Sequence, residues 1–132
     1  ADTELKPTSV AFLNKLGDLL KPMTNPINVQ GHTDNRTINT LQYASNWELS
    51  GMRALQVARH FIDGSGISPS RVSFTGYSEY RWIVPNNSDE NMAKNRRVEI
   101  HILYEREPHA PPKTIYEAVE SNQIEVQGRE IE

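Results

Sequence analysis

The chain has 132 residues, a formal charge of −3 and no cysteine. That length suits one domain with its own hydrophobic core; the charge gives no basic field for nucleic acid, and the absent thiols exclude disulfide scaffolds, cysteine zinc sites and thiol catalysis. No apolar run approaches a membrane span and the first residues show no signal-peptide pattern, while residues 105–132 carry seven acids against three bases, which makes them −4 and leaves about +1 for the remainder.

Between residues 8 and 20, Val10, Leu13, Leu16, Gly17 and Leu20 fall on one helical stripe. Pro7 stands near the start of this helix and Pro22 stops it soon after its end. The segment PINVQG follows, with Ile27 and Val29 alternating as a short half-buried strand over 27–31 would. Residues 32–45 are polar, rich in Thr and Asn, and aperiodic. Loops of this length without structure of their own are often functional.

The clearest element is a helix over 46–62. Ser45 with Glu48 three residues on forms a capping-box pattern that would satisfy two amide donors at its start. Trp47, Gly51, Ala54, Leu55, Ala58, Phe61 and Ile62 share one face at helical spacing, and the small residues Gly51 and Ala54 predict a close approach to a sheet. DGSG at 63–66 ends the helix, with Gly64 or Gly66 available for a left-handed cap.

RVSFTG at 71–76 reads as a second strand, and PNNSDENMAKN at 85–95 as a turn followed by one or two helical turns. RVEIHILY at 97–104 alternates Val98, Ile100 and Ile102 against Glu99, His101 and Leu103, which predicts a third strand. Alternating strands and helices place the chain in the α/β class, as a sandwich of helices against a small sheet. Beyond Tyr104 come a proline-stiffened connector and an acidic, poorly ordered end, a tail over 105–132 separate from the 1–104 domain.

In an open α/β layout, ligands bind in the crevice beyond the carboxyl ends of the strands. The loop after 27–31 lies at such an end, which brings His32, Thr33 and Asp34 near the first turns of the 46–62 helix. Arg53, well off the core stripe, leans over the same crevice. An Asp and an Arg converging there suit a zwitterionic ligand, the carboxylate receiving an ammonium and the guanidinium a carboxylate in a bidentate fork. Amide donors at the helix start favour the negative end of such a ligand. The plain alternative is that Asp34 caps a turn and Arg53 pairs with an exposed acid; spacing alone leaves both open.

Other chemistries find less support. A metal site would rest on His32 and Asp34 with distant help from His60 or His101, a weak pattern. Hydrolysis finds neither a nucleophile elbow nor paired carboxylates, so no cofactor, metal or enzymatic activity is expected. Arg96 and Arg97 are either edge charges before the last strand or include one that braces the Asp34 loop. Trp82 reads as a partly exposed surface aromatic.

GHTDN at 31–35 followed by NWELSGMRALQVARHFI at 46–62 resembles the OmpA-like peptidoglycan-binding domain. The family's helix pattern, Asn-x-x-Leu-Ser-x-x-Arg-Ala-x-x-Val, is matched by Asn46, Leu49, Ser50, Arg53, Ala54 and Val57. GYSE at 76–79 and NRRVEI at 95–100 match its later motifs in order and spacing, and the resemblance covers roughly residues 5–104. It implies an OmpA-like two-layer sandwich on a mixed sheet that recognises the peptide stem of peptidoglycan at the free end of meso-diaminopimelate. Carried over position by position, Asp34 would pair with the ligand ammonium and Arg53 with its carboxylate. Thr33, Asn46 and Leu49 would line the pocket or present backbone groups to it, and Arg97 is grouped with these binding residues.

YASNWELSGMRA, with Trp47 inside the motif and a Tyr upstream, is similar to flagellar stator B subunits of the MotB/PomB type; the Pal and OmpA branches usually lack that Trp. The resemblance then implies a periplasmic domain tethered to the inner membrane by one helix, paired with a MotA- or PomA-like partner, dimerising, and fastening the stator to the wall. Two departures stand out. The family's first strand precedes a GSAxLxP-like stretch and ADTELKP at 1–7 begins just after it, which implies a sheet edge left without that strand. The 35–45 loop is longer than in the Pal branch, as is usual in stators, and the tail has no counterpart in the family pattern.

Overall fold

The computed structural model describes residues 5–104, so the tail expected over 105–132 lies outside the described residues. Pro7, with its φ already helical and no amide to satisfy, opens helix α1 (Pro7–Leu20). Strand β1 (Ile27–His32) runs one residue beyond the predicted strand. Helix α2 (Asn46–Arg59) continues into a wider π-type turn over His60–Gly64, so the predicted single helix changes pitch at its end. Gly66 takes the left-handed conformation at φ 75°, and Ile67 donates its amide to the Phe61 carbonyl at 3.0 Å. Strand β2 (Val72–Gly76), the short helix α3 (Asp89–Asn95) and strand β3 (Arg97–Ile102) complete the order.

The three strands form one mixed sheet in the order β2-β1-β3. β1 is parallel to β2, which requires a crossover that α2 supplies, and antiparallel to β3. The register sets Ile27, Val29 and Gly31 beside Val72, Phe74 and Gly76 on one side and Ile102, Ile100 and Val98 on the other. This is the face the helices cover, so the alternation read in the last strand holds. The opposite face is polar: Asn28 donates to Ser73 Oγ at 2.9 Å and Gln30 donates to Asn28 Oδ1 at 2.8 Å. Among the described residues β3 has β1 as its single neighbour.

The core joins Leu13 and Leu20 of α1 to Ile27, Val29, Ala54, Val57, Ala58, Phe61 and Ile67. The α2 stripe lies rotated from the predicted one. Leu49, Ser50, Ala54, Val57 and Ala58 are buried, whereas Trp47 is 53% exposed and leans on Tyr80, ring centroids 5.5 Å apart. The cause is a close approach of helix to sheet at two glycines. A Cβ on Gly31 would stand 2.0 Å from the Ser50 carbonyl oxygen, and one on Gly76 would stand 2.6 Å from the Gly51 amide nitrogen. With Ser50 and Gly51 pressed against bare backbone, the bulky Trp47 has no place on that face.

Two side chains that carry no sequence pattern tie the ends together. Arg71 donates to the carbonyls of Leu20 (2.9 Å), Asn25 (2.9 Å) and Lys21 (3.3 Å), which satisfies acceptors that the end of α1 leaves open. Asn95, fully buried, accepts the Ile83 and Val84 amides and donates to the Val84 carbonyl and Asn86 Oδ1. It thereby fixes the 83–86 turn ahead of β3.

Candidate functional site

The site grows from the carboxyl end of β1. Tyr77 donates its amide to the Gly31 carbonyl and Thr33 donates its own to the Ser78 carbonyl, so the chain past β1 stays aligned with the turn past β2. Ser78 holds this turn in the left-handed region at φ 58°, a conformation that costs a non-glycine residue about 1 kcal/mol or more. Its amide donates to the buried Ser50 hydroxyl, which donates in turn to the Trp47 carbonyl. At the start of α2, Ser45 Oγ accepts the Trp47 amide. The same hydroxyl donates to the Glu48 carboxylate at 2.6 Å, so Glu48 meets the Ser45 side chain and not the Ser45 amide that a reciprocal capping box would pair it with.

Asp34 is 4% exposed and fully engaged. Its Oδ1 accepts the Arg36 amide at 2.9 Å. Its Oδ2 accepts Arg36 Nε at 3.0 Å, Arg36 Nη2 at 2.8 Å and Arg96 Nη1 at 2.6 Å. Burial pushes this carboxyl up, but the side-chain and backbone hydrogen bonds from Arg36 and that from Arg96 outweigh it and hold it below the usual carboxylate value. Asp34 is therefore an anion at neutral pH. Of the adjacent pair Arg96 and Arg97, Arg96 is the one that braces the Asp34 loop.

Around this carboxylate lies a hollow of about 480 Å³. Thr33, Asp34, Asn46, Leu49 and Arg53, five of the six residues singled out in the sequence, line it together with Arg36, Thr37, Ile38 and Arg96. Asn46 donates to the Arg36 carbonyl at 3.0 Å, which pins the loop to the first turn of α2. Arg97, the sixth, stands elsewhere: it donates to Glu99, to the Asn95 carbonyl and to the Arg81 carbonyl. It lines a neighbouring hollow of about 600 Å³ between α1, α2 and β3, to which Arg53 and Arg96 also contribute. Arg36 and Arg96 were not among the expected site residues. Arg36 had a signal, standing two residues from Asp34 where an Asx-type turn forms; Arg96 had none beyond its pairing with Arg97 in sequence.

On the polar face of the sheet, Glu99 gathers Arg97 and His101, and the His101 contact leads in holding its carboxyl below the usual range. His32 stacks on Tyr77 with ring centroids 5.3 Å apart. No three acidic, His or Cys side chains come together as a metal cluster among the described residues, and His32 and Asp34 leave the strand end toward different partners.

A mixed three-stranded sheet under helices, with a buried Asp and an Arg of the crossover helix on one hollow, defines a class. The family model described as the OmpA family matches residues 2–96, and the chain belongs to that family. Within it, the chain is similar to Motility protein B of Bacillus subtilis, 36% identical over 101 residues that make up 75% of this chain and 38% of that protein. It is similar in structure to the C-terminal domain of Helicobacter pylori MotB, TM-score 0.71 at 29% identity over 80% of each chain. It also resembles the cell wall anchor of the T6SS from Pseudomonas aeruginosa, TM-score 0.73 at 36% identity over 80% of this chain and 73% of that one. The chain spans 35% to 38% of the length of the motility proteins it matches.

Proposed function

We propose that this chain is a non-catalytic peptidoglycan-binding domain that anchors a flagellar motor stator of the MotB/PomB type to the cell wall. One observation carries the reading: Asp34 and Arg53 line the same hollow at the carboxyl end of β1. The diaminopimelate end of a stem peptide carries an ammonium and a carboxylate on one carbon. Asp34 receives the first, Arg53 the second, and Thr33, Asn46 and Leu49 form the walls between them. The relatives named Motility protein B support the stator assignment. In such an assembly the domain lies in the periplasm, tethered to the inner membrane beside a MotA- or PomA-like subunit.

Two charge-assisted contacts in a partly wet hollow supply about 1.5–3 kcal/mol each before the costs of association. Single-site affinity is therefore modest, and a homodimer facing a repeating polymer raises it through effective concentration. A wall-bound domain gives torque generation its fixed point. The similarity to a wall anchor of a secretion system and to a peptidoglycan-associated lipoprotein of Pseudomonas putida favours wall binding as the shared property. If the parent protein is not motor-linked, a Pal- or porin-type anchoring role is the second reading.

Co-sedimentation with diaminopimelate-type sacculi tests the proposal. The unmodified chain sediments with the sacculi, while Asp34→Asn and Arg53→Ala stay in the supernatant although circular dichroism shows them folded, Asp34→Asn with a lowered melting temperature because it loses the charge that holds Arg36 and Arg96. Sedimentation of both variants at the level of the unmodified chain rules the assignment out. Mass analysis of muropeptides incubated with the protein separates binding from hydrolysis: no new product is expected.

A further inference from the structure

The carboxylate that is to receive a ligand ammonium is already occupied, and its partners are not equivalent. Arg96 reaches Oδ2 from the start of β3, with a side chain 34% exposed. Arg36 reaches the same oxygen with two nitrogens, yet its side chain is 58% exposed while that of Asp34 is 6% exposed. The Arg36 backbone is held from both sides, its amide on Asp34 Oδ1 and its carbonyl under Asn46 Nδ2. Only rotations about the side-chain bonds separate the guanidinium from water.

Oδ2 accepts three donors in this state and Oδ1 accepts one. An ammonium brings three donors and a compact charge, and a carboxylate that is 4% exposed cannot admit it beside a guanidinium that already sets two nitrogens on Oδ2. The contact that gives way is the one whose cation returns to water most easily. That is Arg36, since Arg96 is the more enclosed of the two and holds the loop to β3 across the sheet.

We propose that Arg36 is a displaceable internal competitor: its guanidinium occupies the place of the ligand ammonium on Asp34 in the unliganded hollow and moves out to water when the ligand binds. This rests on the reading of Asp34 as the ammonium acceptor. Its consequence is selectivity. A stem peptide whose terminal amine is neutralised has no charge with which to take over Oδ2, so the latch stays shut against it. A cationic end exchanges one ion pair for another, which leaves the binding equilibrium of the unmodified chain with little dependence on salt. Removing Arg36 turns that exchange into the formation of a new ion pair, with tighter binding and a steeper salt dependence.

The test is titration calorimetry of the whole chain and of its Arg36→Gln and Arg36→Lys variants with a synthetic stem tripeptide ending in meso-diaminopimelate. It is run at two salt concentrations and repeated with the same peptide N-acetylated at the free amine. Arg36→Gln is expected to bind the amine form about three- to tenfold more tightly and with a steeper salt slope. Arg36→Lys falls between the two, and the acetylated peptide binds none of them. In nuclear magnetic resonance, the Arg36 Nε–H signal is expected to lose its exchange protection on titration of the unmodified chain. Equal or weaker binding by Arg36→Gln, or an Nε–H signal that stays protected, overturns the latch while leaving Asp34 as acceptor. If Asp34→Asn binds as well as the unmodified chain, or no protein binds the peptide, the acceptor reading fails and the latch with it.

Discussion

Arg96 Nη1 lies 2.6 Å from Asp34 Oδ2 although the two residues are 62 apart in the chain. The contact joins the loop past the central strand to the residue before an outer one, so the acid presented at the rim is fixed from across the fold as well as by Arg36 of its own loop. Removing Arg96 therefore does two things at once. Arg96→Ala is expected to lower stability by about 1–2 kcal/mol, at the low end for a charge-assisted hydrogen bond because the guanidinium is a third open to water. It should also weaken wall binding, with Arg96→Lys recovering part of both. Urea denaturation and sacculus co-sedimentation report the two effects separately, and an Arg96→Ala protein with unchanged midpoint would show that the loop holds itself.

The approach of α2 to the sheet sets a second expectation. A methyl group at Gly31 meets the Ser50 carbonyl at 2.0 Å, a backbone atom that cannot turn aside. Gly31→Ala is expected to cost at least about 3 kcal/mol by forcing the helix off the strand. The hollow should open with it, since Asn46, Leu49 and Arg53 ride on that helix. A melting temperature within a degree or two of the unmodified chain would contradict the packing described.

Asn95 makes four hydrogen bonds from a fully buried position. Asn95→Ala leaves two amides and a carbonyl of the 83–84 turn without their partner, at an expected cost of about 2–4 kcal/mol. Asn95→Asp keeps the acceptor for both amides but sets an anion against the Val84 carbonyl and Asn86 Oδ1, and should be little better. Amide hydrogen exchange localises the effect: Ile83 and Val84 are expected to lose protection in both variants, and their continued protection would argue against the hub.

His32 gives stability a dependence on pH. It is 2% exposed, neither ring nitrogen has a hydrogen-bond partner among the described residues, and Glu99 Oε2 is 3.6 Å away, beyond hydrogen-bond reach. Burial first, and Arg97 second, lower its pKa from the ordinary 6.5. Between the two values the unfolded chain binds a proton that the folded chain refuses. Stability is thus complete above about pH 6.5 and falls as the pH drops through the folded value. Thermal unfolding between about pH 7 and pH 5 should show this decline, and His32→Phe, which keeps a ring on Tyr77, should flatten it. An equally steep decline in the variant would assign the effect to other groups.

Much of the fold was legible because it is local. Pro7 and Pro22 bracket α1, Ser45 and Glu48 mark the start of α2, and the alternation of Val98, Ile100 and Ile102 fixes the inward face of β3. Five of the six expected site residues share one hollow because a strand end and the first turns of its crossover helix always lie together in this topology. Where the structure departs from the local pattern, distant elements decide. Helical period puts Trp47 on the core face, but period fixes only relative angles; Gly31 and Gly76, on other elements, decide which side meets the sheet. Arg97, which the resemblance groups with the site, lines the neighbouring hollow, and Arg96 is the arginine that stands on Asp34. Arg96 follows the last residue of α3 and Arg97 opens β3, so the helix-to-strand turn between them, which the sequence does not locate to one residue, sends their side chains to different partners.

By itself, then, the order of residues determined the elements, the family and the placing of Asp34 and Arg53 at one hollow, since each depends on spacing within a short stretch or on motifs that recur in order. Only the tertiary structure decided the rotation of α2, the choice of Arg96 over Arg97, and the fact that Asp34 is held by two guanidiniums. Those depend on which distant atoms arrive at one point, and a contact across 62 residues leaves no periodic trace in the chain.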